Sequence, residues 1–126
     1  MTDILLIEDN QDYRESLLEI LQLENYQTVA AANGFLGWQM LQEHSPNLII
    51  SDVEMPVMNG LELLSMVKAD PVLALIPFLI LTGNTDSQMQ ENLHAFGAEA
   101  LLGKPIAIEE LLSVVAYFLK QNFPSI

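Results

Sequence analysis

The segment from Leu48 to Gly60 reads Leu-Ile-Ile-Ser-Asp-Val-Glu-Met-Pro-Val-Met-Asn-Gly and restricts the fold more than any other part of the chain. Leu48, Ile49 and Ile50 are apolar without alternation, the pattern of a strand covered on both faces. Asp52 is the first ionisable residue after them, so a carboxylate is delivered to the end of a buried strand. Pro56 cannot continue a strand ladder and Gly60 tolerates unusual backbone angles. Met55 to Asn59 is therefore expected to be a stiff loop that Gly60 closes before a helix at Leu61, with Asp52 facing outward at its mouth.

The remaining chain alternates short apolar runs with amphipathic stretches. Ile4–Ile7 reads as a first strand ending in Glu8-Asp9, and Asp9 or Asn10 can cap a helix carrying Leu17, Leu18 and Leu21 to about Leu23. Tyr26–Ala31 reads as a weaker strand, Gly34–Glu43 as a helix, and Leu48–Ser51 as the third strand. A third helix is expected over about Leu61–Lys68, broken by Asp70-Pro71. Pro77 opens a fourth strand, Phe78–Leu81, ending at Thr82. A loop over Gly83–Asp86 leads to a helix from about Ser87 to Phe96, with Gly97 as its stop. Ala100–Gly103 reads as a fifth strand ending at Lys104-Pro105. The last helix, about Ile108–Gln121, is expected to bury Ile108, Leu111, Leu112, Val115, Phe118 and Leu119 and to expose Val114 and Tyr117. Five strand-helix units in strict alternation predict an α/β fold, a doubly wound five-stranded parallel sheet in one domain over residues 1–126.

Composition narrows the function classes. Without cysteine there is no disulfide framework and no thiolate metal site, and no apolar run reaches the roughly 20 residues needed to span a bilayer. The start of the chain does not read as a secretory leader, so a cytoplasmic location is expected. Seventeen acidic residues stand against four basic ones, a formal net charge of −13. The cations Arg14, Lys68, Lys104 and Lys120 are scattered, so no patch can neutralise a run of phosphates, and neither nucleic acid nor an anionic membrane is an expected partner. His44 and His94 lack partners at metal-ligand spacing and read as surface residues, and Met55 and Met58 as packing residues.

The polar residues at strand ends gain meaning together. Glu8-Asp9, Asp52, Thr82 and Lys104 follow the first, third, fourth and fifth strands, and ligands of open α/β sheets bind beyond the carboxyl ends of the strands. Carboxylates crowded there repel one another unless they share a cation. Oxygen donors without His or Cys suit Mg²⁺, or Mn²⁺ in its place, with Asp9 and Asp52 as side-chain ligands. A lysine and a hydroxyl opposite the metal complete a cradle for a phosphoryl group. Asp52, after the central strand, is the best acceptor for it.

Four features resemble the receiver domain of the two-component response-regulator family. They are Glu8-Asp9, the run Asp52-x-x-Met55-Pro56-x-Met58-x-Gly60, the Thr82-Gly83 pair and Lys104-Pro105, in family order and spacing across essentially the whole chain. The resemblance implies strand order 2-1-3-4-5 and transfer to Asp52 from a phosphohistidine on a sensor histidine kinase or a histidine phosphotransfer protein. It implies Mg²⁺ held by Asp9, Asp52 and the backbone carbonyl of Glu54, with Glu8 acting largely through water. Thr82 and Lys104 would each contact a phosphoryl oxygen, and the Lys104-Pro105 bond would be cis. Many relatives form homodimers through the fourth helix, fifth strand and fifth helix, and take the phosphodonor on the first helix. The chain would then catalyse its own phosphorylation and slow dephosphorylation, without turnover of an external substrate.

The sequence departs from the family pattern at three places. Leu101 stands where relatives carry a switch ring, so the swing of a ring cannot be the readout. Glu54 puts an anion beside the phosphoryl position and, with Asn84, is expected to set the lifetime of the phosphoryl group. No DNA-binding or enzymatic output domain is expected after Ile126, and output is expected through protein-protein contact. The first two departures give weight to an alternative, a pseudo-receiver that binds partners without phosphorylation.

Overall fold

A computed structural model describes residues 2–83 and 87–122. The elements are β1 (Ile4–Ile7), α1 (Gln11–Leu23), β2 (Thr28–Ala31), α2 (Gly34–Glu43), β3 (Leu48–Asp52), α3 (Gly60–Ala69), β4 (Phe78–Thr82), α4 (Ser87–Ala95), β5 (Ala100–Gly103) and α5 (Ile108–Asn122). A 3-10 turn, Leu73–Leu75, which periodicity does not reveal, lies between α3 and β4. The strands form one parallel sheet in the order β2-β1-β3-β4-β5, as expected.

Every residue of β1, β3 and β4 is buried, because helices cover both faces of the sheet. Alternation divides their side chains between two cores. Ile4, Leu6, Ile50, Leu79 and Leu81 meet Leu17 and Leu21 of α1 and Leu111, Val115 and Leu119 of α5. Leu5, Ile7, Ile49, Phe78 and Ile80 meet Leu41 of α2, Leu63, Leu64 and Val67 of α3, and Leu93 of α4. The unbroken apolar runs seen in the sequence are thus two interleaved faces.

Asparagines start the first three helices. Asn10 Oδ1 accepts from Tyr13 N at 2.9 Å and Asn33 Oδ1 from Leu36 N at 2.8 Å. Asn59 and Glu62 form a reciprocal capping box at 2.9 and 3.1 Å. Such caps stabilise a helix by about 1 kcal/mol each and here fix three helix starts at the carboxyl edge of the sheet.

Several boundaries and orientations differ from expectation. β2 starts at Thr28, because the Gln27 N–H donates to the Asp3 side chain, at Oδ2 and 2.7 Å, in place of a strand carbonyl. β3 extends to Asp52, which pairs with Leu81. α3 starts at Gly60, whose role is close approach: a Cβ there would collide with the Asp52 carbonyl oxygen. The left-handed residue of that loop is Val57, at φ 70°. Ile108 is 51% exposed, because as the first residue of α5 it precedes the stripe Leu111, Val115 and Leu119 that lies on the sheet. Val114 packs partly against the first core, while Tyr117 is exposed. Met55 and Met58 pack against the second core, and His44 is only half-exposed, meeting Thr2 Oγ1 through Nδ1 at 3.1 Å.

Candidate functional site

In-phase parallel pairing ends the strands at one level. Ile7 pairs with Ser51, Asp52 with Leu81 and Thr82 with Gly103, so the residues after β1 and β5 lie beside the last residues of β3 and β4. The ladder continues one step further through Glu8 N to Ala31 O at 3.0 Å and Lys104 N to Thr82 O at 2.9 Å. Backbone hydrogen bonding, which is blind to side chains, thereby assembles a polar cluster on an apolar sheet.

Asp52 does not face outward, as the loop composition leads one to expect. It is buried, with Oδ1 accepting from Val53 N at 2.8 Å and Oδ2 from Lys104 Nζ at 2.9 Å. The helix start at Gly60 folds over it, with Gly60 N donating to Val53 O at 2.7 Å. Glu8 is fully buried; Oε2 accepts from Asn10 N at 3.0 Å, and Oε1 lies 2.6 Å from Lys104 Nζ at angles outside hydrogen-bond geometry. Lys104 thus stands between two carboxylates, at the end of β5 and across the sheet from β1.

These contacts shift two groups. Burial pushes the Glu8 carboxyl above its usual 4.5, an effect that Lys104 and the Asn10 N–H reduce without cancelling. Burial alone would pull the Lys104 ammonium down, but Glu8 and Asp52 outweigh it and hold the group above 10.5.

Glu8, Asp9 and Asp52 each bring a carboxylate oxygen within 4.8 Å of the others; Asp9 is exposed and the other two are buried. Three carboxylates face the Lys104 ammonium, with the Arg14 guanidinium donating to the Glu8 carbonyl at 2.9 Å, so negative charge crowds one point and suits a bound cation. The donors are hard oxygens with neither His nor Cys, and Glu8 Oε1 lacks a hydrogen bond. The set therefore fits Mg²⁺ or Mn²⁺. Beside it a cavity of about 290 Å³ is lined by Asp52, Glu54, Thr82, Gly83 and Lys104. A positive group, a hydroxyl and two acidic residues so converge on one space. Lys104-Pro105 is cis, and Leu101 is half-buried. Asn84 and the rest of the expected loop to Asp86 lie outside the described residues.

A larger cavity of about 610 Å³ opens on the other side of Lys104, between the start of α1 and the segment after β5. Tyr13 lines it and is absent from the sequence-based site. Its ring lies 5.2 Å from Lys104 Nζ, and its hydroxyl accepts from Ile106 N at 3.1 Å. The one available signal is an aromatic residue in the first turn of a helix that begins beside Asp9.

Residues 4–116 match the Response regulator receiver domain family. The chain is 27% identical over 116 residues to the polar-differentiation response regulator DivK of Brucella anthropi, covering 92% of this chain and 94% of that one. Among solved structures it is similar to the signal receiver domain of a signal transduction histidine kinase from Syntrophus aciditrophicus, with TM-score 0.89 and 34% identity over 100% of this chain and 97% of that one. It is also similar to the chemotaxis protein CheY4 of Vibrio cholerae, with TM-score 0.88, 31% identity and coverage of 94% and 98%.

Proposed function

The chain belongs to the response regulator receiver domain family of two-component signalling, and we propose that it is a phosphorylation-gated switch whose phosphoryl acceptor is Asp52. The donor is a phosphohistidine on a sensor histidine kinase or a histidine phosphotransfer protein, the partners with which the family interacts. The observation that carries the reading is the Lys104 ammonium held at 2.9 Å from Asp52 Oδ2, across 52 residues of sequence, at the wall of a cavity shared with Thr82.

Receiver domains bind Mg²⁺ in an acidic site, and here Asp9, Asp52 and the Glu54 carbonyl would hold it, with Glu8 behind them. The bound ion supplies charge neutralisation at the transferring phosphoryl oxygens. An Asp52 carboxylate oxygen attacks phosphorus in line, the phosphorus-nitrogen bond breaks, and the imidazole leaves with its electron pair. Lys104 exchanges its contact with Asp52 for one with a phosphoryl oxygen, and the Thr82 hydroxyl donates to another. The chain promotes its own phosphorylation and slow dephosphorylation and turns over no other substrate.

The acyl phosphate carries roughly −1.5 to −2 charges. Drawing Thr82 and Lys104 toward it biases the segments after β4 and β5. A coupling of about 1–3 kcal/mol changes a partner's affinity several-fold to about a hundredfold. With Leu101 in place of a ring, backbone and Lys104 movement carry this signal to other proteins. The surface of α4, β5 and α5, where Phe96 and Tyr117 are 52% and 59% exposed, serves as the homodimer or partner face. Among the described residues no helix is long and apolar enough to cross a membrane. The proposed site of action is the cytoplasm, and the four scattered cations offer no patch for nucleic acid.

Intact-mass spectrometry after acetyl phosphate and Mg²⁺ tests the acceptor: one phosphoryl group is gained, and Asp52→Asn abolishes the gain. A wild-type chain that stays unlabelled by every phosphodonor overturns gating and leaves a pseudo-receiver. Size-exclusion chromatography with and without beryllofluoride tests the dimer, which an unchanging monomer at high concentration removes.

A further inference from the structure

Lys104 has a flexible four-carbon stem, yet the reading of Asp52 as acceptor, on which this inference rests, requires its ammonium to stay at the cavity while it exchanges Asp52 for a phosphoryl oxygen. Glu8 and Asp52 hold it from one side, at 2.6 and 2.9 Å. On the other side lies the ring of Tyr13, with its centroid 5.2 Å from Nζ, inside the range of a cation-π contact. The residue is itself tied down at its backbone and at its hydroxyl. Tyr13 N donates to the Asn10 cap at 2.9 Å, and the hydroxyl accepts from Ile106 N, two residues beyond Lys104, at 3.1 Å. The half-buried side chain also packs against the core between α1 and α5. One residue of α1 thus touches Lys104 by its face and the segment after it by its hydroxyl.

We propose that Tyr13 is the positioning residue of the phosphoryl site: its ring keeps the Lys104 ammonium at the cavity, and its hydroxyl anchors the segment after β5 that carries this lysine. The ring face holds a cation without competing as a charged partner for the incoming phosphoryl group. When Lys104 turns from Asp52 to a phosphoryl oxygen, the ring remains as its fixed wall.

Tyr13→Phe and Tyr13→Leu separate the two contacts. In nuclear magnetic resonance spectra without phosphodonor, the Lys104 side-chain signals carry a ring-current shift that Tyr13→Phe keeps and Tyr13→Leu loses. Exchange of the Ile106 amide accelerates in both variants. With acetyl phosphate and Mg²⁺, the saturating phosphorylation rate falls about five- to tenfold in Tyr13→Leu and at most about threefold in Tyr13→Phe, measured where both variants are folded by near-ultraviolet circular dichroism. The proposal is overturned if Tyr13→Leu phosphorylates within twofold of the wild type, or if the Lys104 signals are the same in all three proteins. If no donor labels the wild type, it is the acceptor role of Asp52 that falls; the Lys104 signals still decide whether the ring holds the ammonium.

Discussion

Two lysines face carboxylates at opposite ends of the sheet, and they are matched differently. At the amino end Lys68, near the end of α3, meets Glu99 Oε1 at 2.6 Å and also donates to Ala74 O at 3.3 Å. Glu99 uses its other oxygen to accept from Phe78 N at 2.6 Å, so both of its oxygens are engaged. One cation meets one anion, and the pair ties α3, β4 and the start of β5 together. At the carboxyl end Lys104 meets both Glu8 and Asp52, with Asp9 close by, and Glu8 Oε1 has no hydrogen bond. The amino end is saturated and serves the fold. The carboxyl end keeps uncompensated charge, which costs stability and suits a divalent ion and a transferring phosphoryl group.

The largest consequence is a response to metal confined to one end. With Mg²⁺ at about one hundred times its Kd, the protein gains about 2.7 kcal/mol. For a chain of this length the Tm rises by about 10 °C in differential scanning calorimetry. Asp9→Asn removes most of that gain, whereas changes at Lys68 or Glu99 leave it intact. An equal gain in Asp9→Asn would place the ion elsewhere and dissolve the contrast between the two ends. Next in size is Glu99→Ala, which leaves the Phe78 N–H and the Lys68 ammonium without their carboxylate and costs about 2 kcal/mol in urea unfolding. A loss below about 0.5 kcal/mol would show that the amino-end pair is a screened surface contact.

The two ends differ in how far the sequence reveals them. Strand-end residues were legible because hydrophobic runs fix where each strand stops, and parallel pairing then brings Asp9, Asp52, Thr82 and Lys104 to one edge whatever their sequence separation. The Lys68–Glu99 pair was not, because its geometry depends on a 3-10 turn whose residues, Leu73–Leu75, show no helical period. The burial of Asp52 escaped for a related reason: it depends on how closely the Gly60 helix start approaches the end of β3, a distance that no residue pattern encodes. Tyr13 was hidden because a half-buried aromatic in a first helical turn reads as core until its hydroxyl and face are seen to meet Ile106 and Lys104.

A smaller effect, of opposite sign, follows from the Glu8 carboxyl. Burial raises its folded-state value above 4.5, so the stability it contributes is fully present below about 4.5 and is lost as pH rises through the raised value. Without divalent ions Glu8→Gln is therefore more stable than the wild type at pH 7, by roughly 1 kcal/mol, and the difference vanishes toward pH 4. Urea titrations at both pH values read it. A variant less stable at pH 7 would mean that Lys104 compensates the buried charge fully, making the carboxyl end as balanced as the amino end.

The smallest expected effect concerns the backbone, where the two ends differ again. Among the described residues two other than glycine have positive φ: Asn25, just past the end of α1 at the amino side, and Val57, in the loop that carries β3 into α3 at the carboxyl side. Asn tolerates the left-handed region at a helix end, and Asn25 N donates to Gln22 O at 2.9 Å in such a turn. Val57 has no such excuse, since a β-branched side chain in that region is crowded by its own backbone, and it is 79% exposed, so no packing offsets the cost. The left-handed penalty of about 1–2 kcal/mol is partly cancelled in Val57→Gly by the greater freedom that glycine gives the unfolded chain. A net gain of about 0.5–1 kcal/mol remains, against a few tenths at most for Asn25→Gly. Equal gains at the two positions would mean that the loop beside Asp52 stores no more strain than an ordinary helix end. A larger gain at Val57, with phosphorylation by acetyl phosphate slowed, would mean that the strain helps hold the acceptor in place.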